Sequence, residues 1–230
     1  MAKISVCLPT YNGCEYLPDC ILSIQEQTFK DWELIVVNDG STDSTEELLD
    51  FYSNEDKRIK VVNLEKNEGI SFARQTACEL ATGEFITVMD TDCQMMPTRL
   101  EESLQSIKKN DVIYTDFSLV VDGEVREYPV EDFGHRTVAQ LLDRKHPTLN
   151  QIIPNFTIMA KKEAFKDAFR IECRYNDDLW TVLQWVKRGY SIKHLRKVLT
   201  YHYITGDNVT INKKEEVETI TEKIRREEGI

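Results

Sequence analysis

Apolar and polar positions alternate along this chain in a pattern that repeats four times before residue 110. "ISVCLP" (4–9) is a short apolar run, the polar "TYNG" follows, and Leu17, Ile21 and Ile24 then recur at helical spacing. "ELIVV" (33–37) ends in "NDGSTDSTEELLDFY", where Asp43 and Glu46 have the spacing of a capping pair opening a helix. "IKVVNL" (59–64) leads to a helix over "GISFARQTACELA" (69–81). "EFITVM" (84–89) leads to another over "MPTRLEESLQSIKK", with Pro97 near its start. Four strand–loop–helix units predict an α/β fold, a parallel sheet with helices on both faces. Ligands of such sheets bind beyond the carboxyl ends of the strands. Three of the four ends carry polar clusters, "PTYN", "NDGS" and "DTD", which should therefore meet in a crevice.

The second half has a more mixed pattern. "DVIYTDFSLVVDGEVREYPV" predicts a hairpin about Asp122–Gly123, and "NFTIMA" a strand. "DDLWTVLQWVKRG" places Leu179, Val182, Leu183 and Val186 on one helical face, with Gly189 as its stop. "SIKHLR" and "VLTYHYI" read as two short strands. The tail "NKKEEVETITEKIRREEGI" is charged nearly all round, which predicts a thin surface helix or a frayed end.

Composition narrows the partners. A net charge of −11 over 230 residues argues against nucleic acid. The same objection reaches any anionic ligand unless a cation bridges. Six cysteines without CxxC spacing read as reduced thiols of a cytosolic protein. The apolar stretch before Pro9 is too short for a signal peptide, and no segment has the length of a membrane span.

Asp90 and Asp92 stand one residue apart at the end of a buried strand. Two carboxylates that close repel unless a cation or donor sits with them, so the pair is either a site for Mg²⁺ or Mn²⁺ or a solvated loop end. In "PTYN", Tyr11 can lay its ring on a planar base while Thr10 and the backbone take polar contacts; ordinary turn chemistry is the alternative. Asp39 of "NDGST" can accept from a base's ring N–H, or can form an Asx turn before a helix.

"ISVCLPTYNGCEYLPDCILSIQEQTFKDWELIVVNDGSTDST" followed by "NEGISFARQTACELATGEFITVMDTDCQMMP" resembles the nucleotide-sugar half of the family-2 inverting glycosyltransferases. The resemblance runs through about residues 4 to 105, with a weaker match over 150 to 205. It implies the GT-A fold: a mostly parallel, Rossmann-like sheet with a small mixed acceptor-side part. It also implies a nucleotide-sugar half over 1–105, an acceptor half of the same domain over 106–210, and a charged tail over 211–230.

The resemblance assigns residues as well. Pro9, Thr10, Tyr11, Asn12 and Asp39 would hold the nucleoside, with Asn38 where the family has another aspartate. Arg74 would approach the nucleotide, with Gln75 in place of the family's Asn. Asp90, Thr91 and Asp92 form the D-x-D, with Asp92 the direct ligand of Mn²⁺ or Mg²⁺ and Cys93 where a further acid is common. Asp178, of the pair Asp177–Asp178, would be the general base. Asp177 in that role and simple helix capping stay open beside it. His202 is a candidate for the metal or diphosphate, against a merely packed histidine.

The expected reaction is therefore metal-dependent transfer from a nucleoside-diphosphate sugar, a UDP-sugar, to a hydroxyl of a carbohydrate or lipid-linked glycan. It would take place in the cytoplasm or at the inner face of the membrane, which leaves peripheral membrane contact open. The alternative is a nucleotide-diphosphate-binding module without catalysis. A phosphoryl-transfer enzyme would need a nucleophilic Asp where this chain has "PTYN".

Overall fold

The computed structural model describes residues 2–130, 153–169 and 177–204, with Lys223, Arg226 and Glu227 of the tail. β1 (Ile4–Thr10), β2 (Trp32–Asn38), β3 (Ile59–Asn63) and β4 (Phe85–Val88) lie parallel in the order β3-β2-β1-β4. All seven residues of β1 and all seven of β2 are buried, which is why both read as continuous apolar runs rather than alternating ones. Each fully buried Val, Leu or Ile side chain contributes about 1.5–3 kcal/mol relative to exposure.

Helices connect these strands. In α1 (Leu17–Gln25), Leu17, Cys20, Ile21 and Ile24 are buried. α2 (Thr45–Glu55) lies against β3, and α3 (Ile70–Leu80) lies over β1 and β2. Because β2 and β4 flank β1, the chain reverses its direction of travel across the sheet there. The crevice of such a reversal opens at the carboxyl ends of β1 and β4. Those ends carry Pro9 to Asn12 and Asp90 to Asp92.

The rest of the sheet is mixed. β8 (Ile158–Lys161) is antiparallel to β4 and to β6 (Val112–Val121). β6 runs parallel to β9 (Ile192–Tyr203), and β9 is antiparallel to β5 (Cys93–Met95). β7 (Glu124–Tyr128) forms the expected hairpin with β6, with Asp122 and Gly123 at φ 51° and 81° in the turn. α4 (Arg99–Ile107) lies against β6, β8 and β9. α5 (Asp177–Lys187) buries Leu179, Val182, Leu183 and Trp185, and ends before Gly189 at φ 72°.

Several expectations need correcting. β5 lies inside "DTDCQMMP", which reads as loop, because three residues are too few to show a period. "SIKHLR" and "VLTYHYI" are one strand, β9. Its register slips between Leu195 and Val198, so Arg196 and Lys197 are extra residues that break the alternation. "NFT" is a 3₁₀ turn leading into β8. Asp43 and Glu46 do not form a reciprocal cap. Asp43 accepts from the N–H of Thr45 and, on its other oxygen, from that of Cys14, while Glu46 accepts from Asn63. Residues 131–152 and most of the tail, with the expectations that fall there, lie outside the described residues.

Candidate active site

The loops after β1 and β2 are latched together. Asn12, at φ 48°, donates its N–H to Ser41 Oγ, and its Oδ1 accepts from the N–H of Thr42. Gly13 N–H donates to Thr45 Oγ1 at 2.9 Å. A Cβ on Gly13 would meet Thr10 Oγ1 at 2.4 Å and Thr91 Cγ2 at 2.9 Å, so this close passage requires glycine. Thr91 Oγ1 donates to the Pro9 carbonyl at 3.2 Å, which joins the D-x-D turn to β1. Tyr11 is half exposed at the mouth of this crevice, available for a ring contact. Thr10 Oγ1 is buried without a hydrogen-bond partner.

Asp39 is buried, and its two oxygens accept from the backbone N–H groups of Glu68 and Gly69 at 2.7 and 2.9 Å. It thereby ties the start of α3 to the end of β2, a task the sequence did not reveal. Asn38 has a reason to be an amide: it donates to Asn63 Oδ1 at 3.0 Å while accepting from Ser41 N–H at 3.1 Å. A carboxylate could not donate there.

The two aspartates of the D-x-D part company. Asp90 Oδ1 pairs with the guanidinium of Arg74, whose side chain is almost fully buried. Arg74, expected beside the nucleotide, holds Asp90. Asp92 faces β9 instead: its Oδ2 is 3.5 Å from His202 Nε2, and its carbonyl accepts from Tyr203 N–H at 2.9 Å. Cys93 pairs with His202 in the β5–β9 ladder. Among the described residues, Asp92, Cys93 and His202 form the one group of donors close enough together to hold a metal ion, all within 4.8 Å of one another. That donor set fits a divalent cation; Asp90 is not in it. Burial, then Asp92 and Asp90, push the Cys93 thiol well up.

The acceptor side begins at the 3₁₀ turn. Asn155 Nδ2 donates to Asp178 Oδ1 at 2.6 Å, and the Phe156 ring lies 4.8 Å from the His202 imidazole. Adjacent residues thus touch the proposed base and the metal group. Asp178 stands in the first turn of α5; the Asp177 side chain lies outside the described residues.

Two further groups went unread in the sequence. Asp116 Oδ1 is 2.9 Å from His194 Nε2, and Tyr114 stacks on the imidazole at 4.6 Å. Arg99 is fully buried behind the D-x-D turn. They look like ordinary surface polar residues until the fold pairs β6 with β9 and sets the start of α4 behind β4.

A family model for glycosyl transferase family 2 matches residues 5–169. The chain is similar to the putative teichuronic acid biosynthesis glycosyltransferase TuaG of Bacillus subtilis, 30% identical over 213 residues covering 91% of this chain and 82% of the relative. It is 28% identical to the hyaluronan synthase of Pasteurella multocida over 91% of this chain and 21% of that protein. Among solved structures, S. aureus TarS 1–349 in complex with UDP-GlcNAc superposes with a TM-score of 0.70 at 25% identity. That match covers 90% of this chain and 60% of the other.

Proposed function

We infer the reaction from one premise: this chain belongs to glycosyl transferase family 2, and it is a glycosyltransferase of the GT-A fold. We propose that it transfers a sugar from a UDP-sugar to a hydroxyl of a carbohydrate or lipid-linked glycan acceptor, with inversion, in polysaccharide or cell-surface glycan synthesis. The relatives named for teichuronic acid and hyaluronan, and the TarS complex with UDP-GlcNAc, support that donor and acceptor class. No described helix is long and apolar enough to cross a membrane. The reaction belongs on this reading to the cytoplasm or the inner membrane face.

The observation that carries the proposal is the convergence of Asp92 and His202, 3.5 Å apart, with Asn155–Phe156 bridging to Asp178. The loops bearing Thr10, Tyr11, Asn12 and Asp39 hold the nucleoside, with the exposed Tyr11 ring against the base. Arg74 pairs with Asp90 and holds it in place. Asp92 and His202 are the residues to hold a divalent cation, Mn²⁺ suiting an imidazole better than Mg²⁺. Such an ion, when bound, neutralises charge on the diphosphate leaving group. Asp178 takes the proton of the acceptor hydroxyl as its oxygen attacks the anomeric carbon, and the carbon–diphosphate bond breaks on the opposite side. The amide of Asn155 fixes the carboxylate without neutralising it.

The test is a UDP-sugar hydrolysis and transfer assay with a panel of glycan acceptors, run on the parent and on Asp178→Asn. Loss of transfer with retained UDP binding supports the reading. Binding of UDP by a parent that turns over no donor would leave a binding module instead.

A further inference from the structure

Position 93 is where the family resemblance leads one to expect an acid, and this chain has a thiol. Cys93 opens β5 directly opposite His202 in the antiparallel ladder, so both side chains leave the same face of the sheet. Its Sγ is 3.6 Å from Asp92 Oδ1, and Asp92 Oδ2 is 3.5 Å from His202 Nε2. A tetrahedral zinc ion with ordinary bond lengths sets about 3.3 Å between oxygen and nitrogen ligands and about 3.5 Å between oxygen and sulfur. The two contacts use different oxygens of Asp92; with one ligand atom from each residue, the three donors all lie within 4.8 Å of one another, close enough for one ion to draw them together.

A second observation concerns charge. The buried Arg99 guanidinium donates to the Thr87 hydroxyl, the Met89 sulfur and the Val88 carbonyl, none of them a carboxylate. Burial pulls it down to about 10, and the groups that hold it up are Cys93, Cys20 and Asp90. A metal-bound thiolate at Cys93 would give this interior cation a full negative neighbour.

We infer that Asp92, Cys93 and His202 form a mixed oxygen, sulfur and nitrogen site for a thiophilic divalent cation of the zinc class, filled before nucleotide arrives. The inference rests on the reading that Asp92 and His202 are the cation side of the site, and it adds which cation. Hard ions such as Mg²⁺ take oxygen ligands and lean on substrate phosphate for several of them. Thiolate and imidazole select zinc over those ions. Three protein donors with a fourth position open is also the layout of a zinc site that accepts a substrate oxygen.

Isothermal titration of the nucleotide-free, metal-free protein with Zn²⁺ and with Mn²⁺ tests this, alongside Cys93→Ser. Zn²⁺ should bind one to one, and Cys93→Ser should weaken it at least ~10-fold, since even partners outside the ligand sphere cost about 10–100-fold. UDP affinity of the parent should rise with added divalent ion, which tests the underlying cation site separately. Equal Zn²⁺ affinity in the two overturns the inference while leaving the cation site itself standing. Failure of UDP to respond to any divalent ion removes the cation reading beneath it. Should Cys93→Ser fail to fold, X-ray absorption on the Cys14→Ser protein with one equivalent of Zn²⁺ decides. Cys14 is the one described thiol that is not buried. A zinc–sulfur shell at about 2.3 Å is expected, and a shell of oxygen and nitrogen alone overturns the inference.

Discussion

Asn155 holds Asp178 by a 2.6 Å hydrogen bond between residues 23 positions apart. The contact fixes one carboxylate oxygen and leaves the carboxylate an acceptor. Asp178→Asn should cut transfer by at least ~10²-fold, the low end for losing a general base, with UDP affinity nearly unchanged. Asn155→Ala should lower kcat less, because the base is loosened rather than removed. Steady-state kinetics with a fixed acceptor separate the two. Near-parental kcat in Asp178→Asn, with Asp177→Asn inactive, would move the base by one residue.

The charge of −11 and the two carboxylates of the D-x-D oppose a bare diphosphate. UDP should therefore bind weakly in EDTA and at least ~10-fold tighter with Mn²⁺, a difference of about 1.4 kcal/mol. Asp92→Asn should abolish most of that gain. Asp90→Asn should act mainly by releasing Arg74, seen as a lower melting temperature. Equal UDP affinity in EDTA and Mn²⁺ by calorimetry would sink the metal dependence.

Tyr11 and Asp39 should separate in stability. Tyr11 is 50% exposed, so Tyr11→Ala should change stability by no more than about 0.5 kcal/mol while weakening UDP binding. Asp39→Ala strips two backbone N–H groups of their acceptor and should cost roughly 1–3 kcal/mol as well. Urea unfolding of both variants, read beside calorimetry, makes the comparison. Equal midpoints for the two would refute the tether.

Acid stability should depend on Glu33. Burial raises this carboxyl, but Lys60, Ser5 and Thr82 outweigh it and bring it from the ordinary 4.5 down to about 2. A depressed carboxyl contributes stability that is full above about 4.5 and drains away as pH falls toward 2. Asp56, held at about 2 chiefly by Arg58, titrates in the same window. Glu33→Gln should therefore be less stable than the parent at neutral pH and show a shallower loss below pH 4.5. Melting temperatures at intervals from pH 7 to 2.5 would reveal an unchanged slope if this assignment is wrong.

The parallel half of the fold was legible because each buried strand is a run of apolar residues and each helix shows one apolar stripe. Ile4–Thr10 and Leu17–Gln25 are plain in the letters alone. β5 was not, since Cys93–Met95 is a strand only through its pairing with Thr200–His202. The same holds within the site. Tyr11, Asp92 and His202 stood out as chemistry at strand ends or near the end of the chain. The partners that decide their roles, Arg74 for Asp90, Asn155 for Asp178 and Cys93 for His202, sit far off in sequence, where no local spacing points to them.

The β5–β9 ladder also governs when the protein becomes competent during synthesis. Every loop motif around the nucleoside is contained in the first 105 residues, yet Cys93–Met95 has its strand partner only in Ile192–Tyr203. The parallel strands leave the ribosome before β9, and because a domain generally folds as a unit, the sheet is completed only after it. The proposed cation ligands Asp92 and His202 do not meet until the strand that carries His202 has left the ribosome. On the proposed reading an unfinished chain would not tie up sugar nucleotide, because the residues for the diphosphate are not yet together.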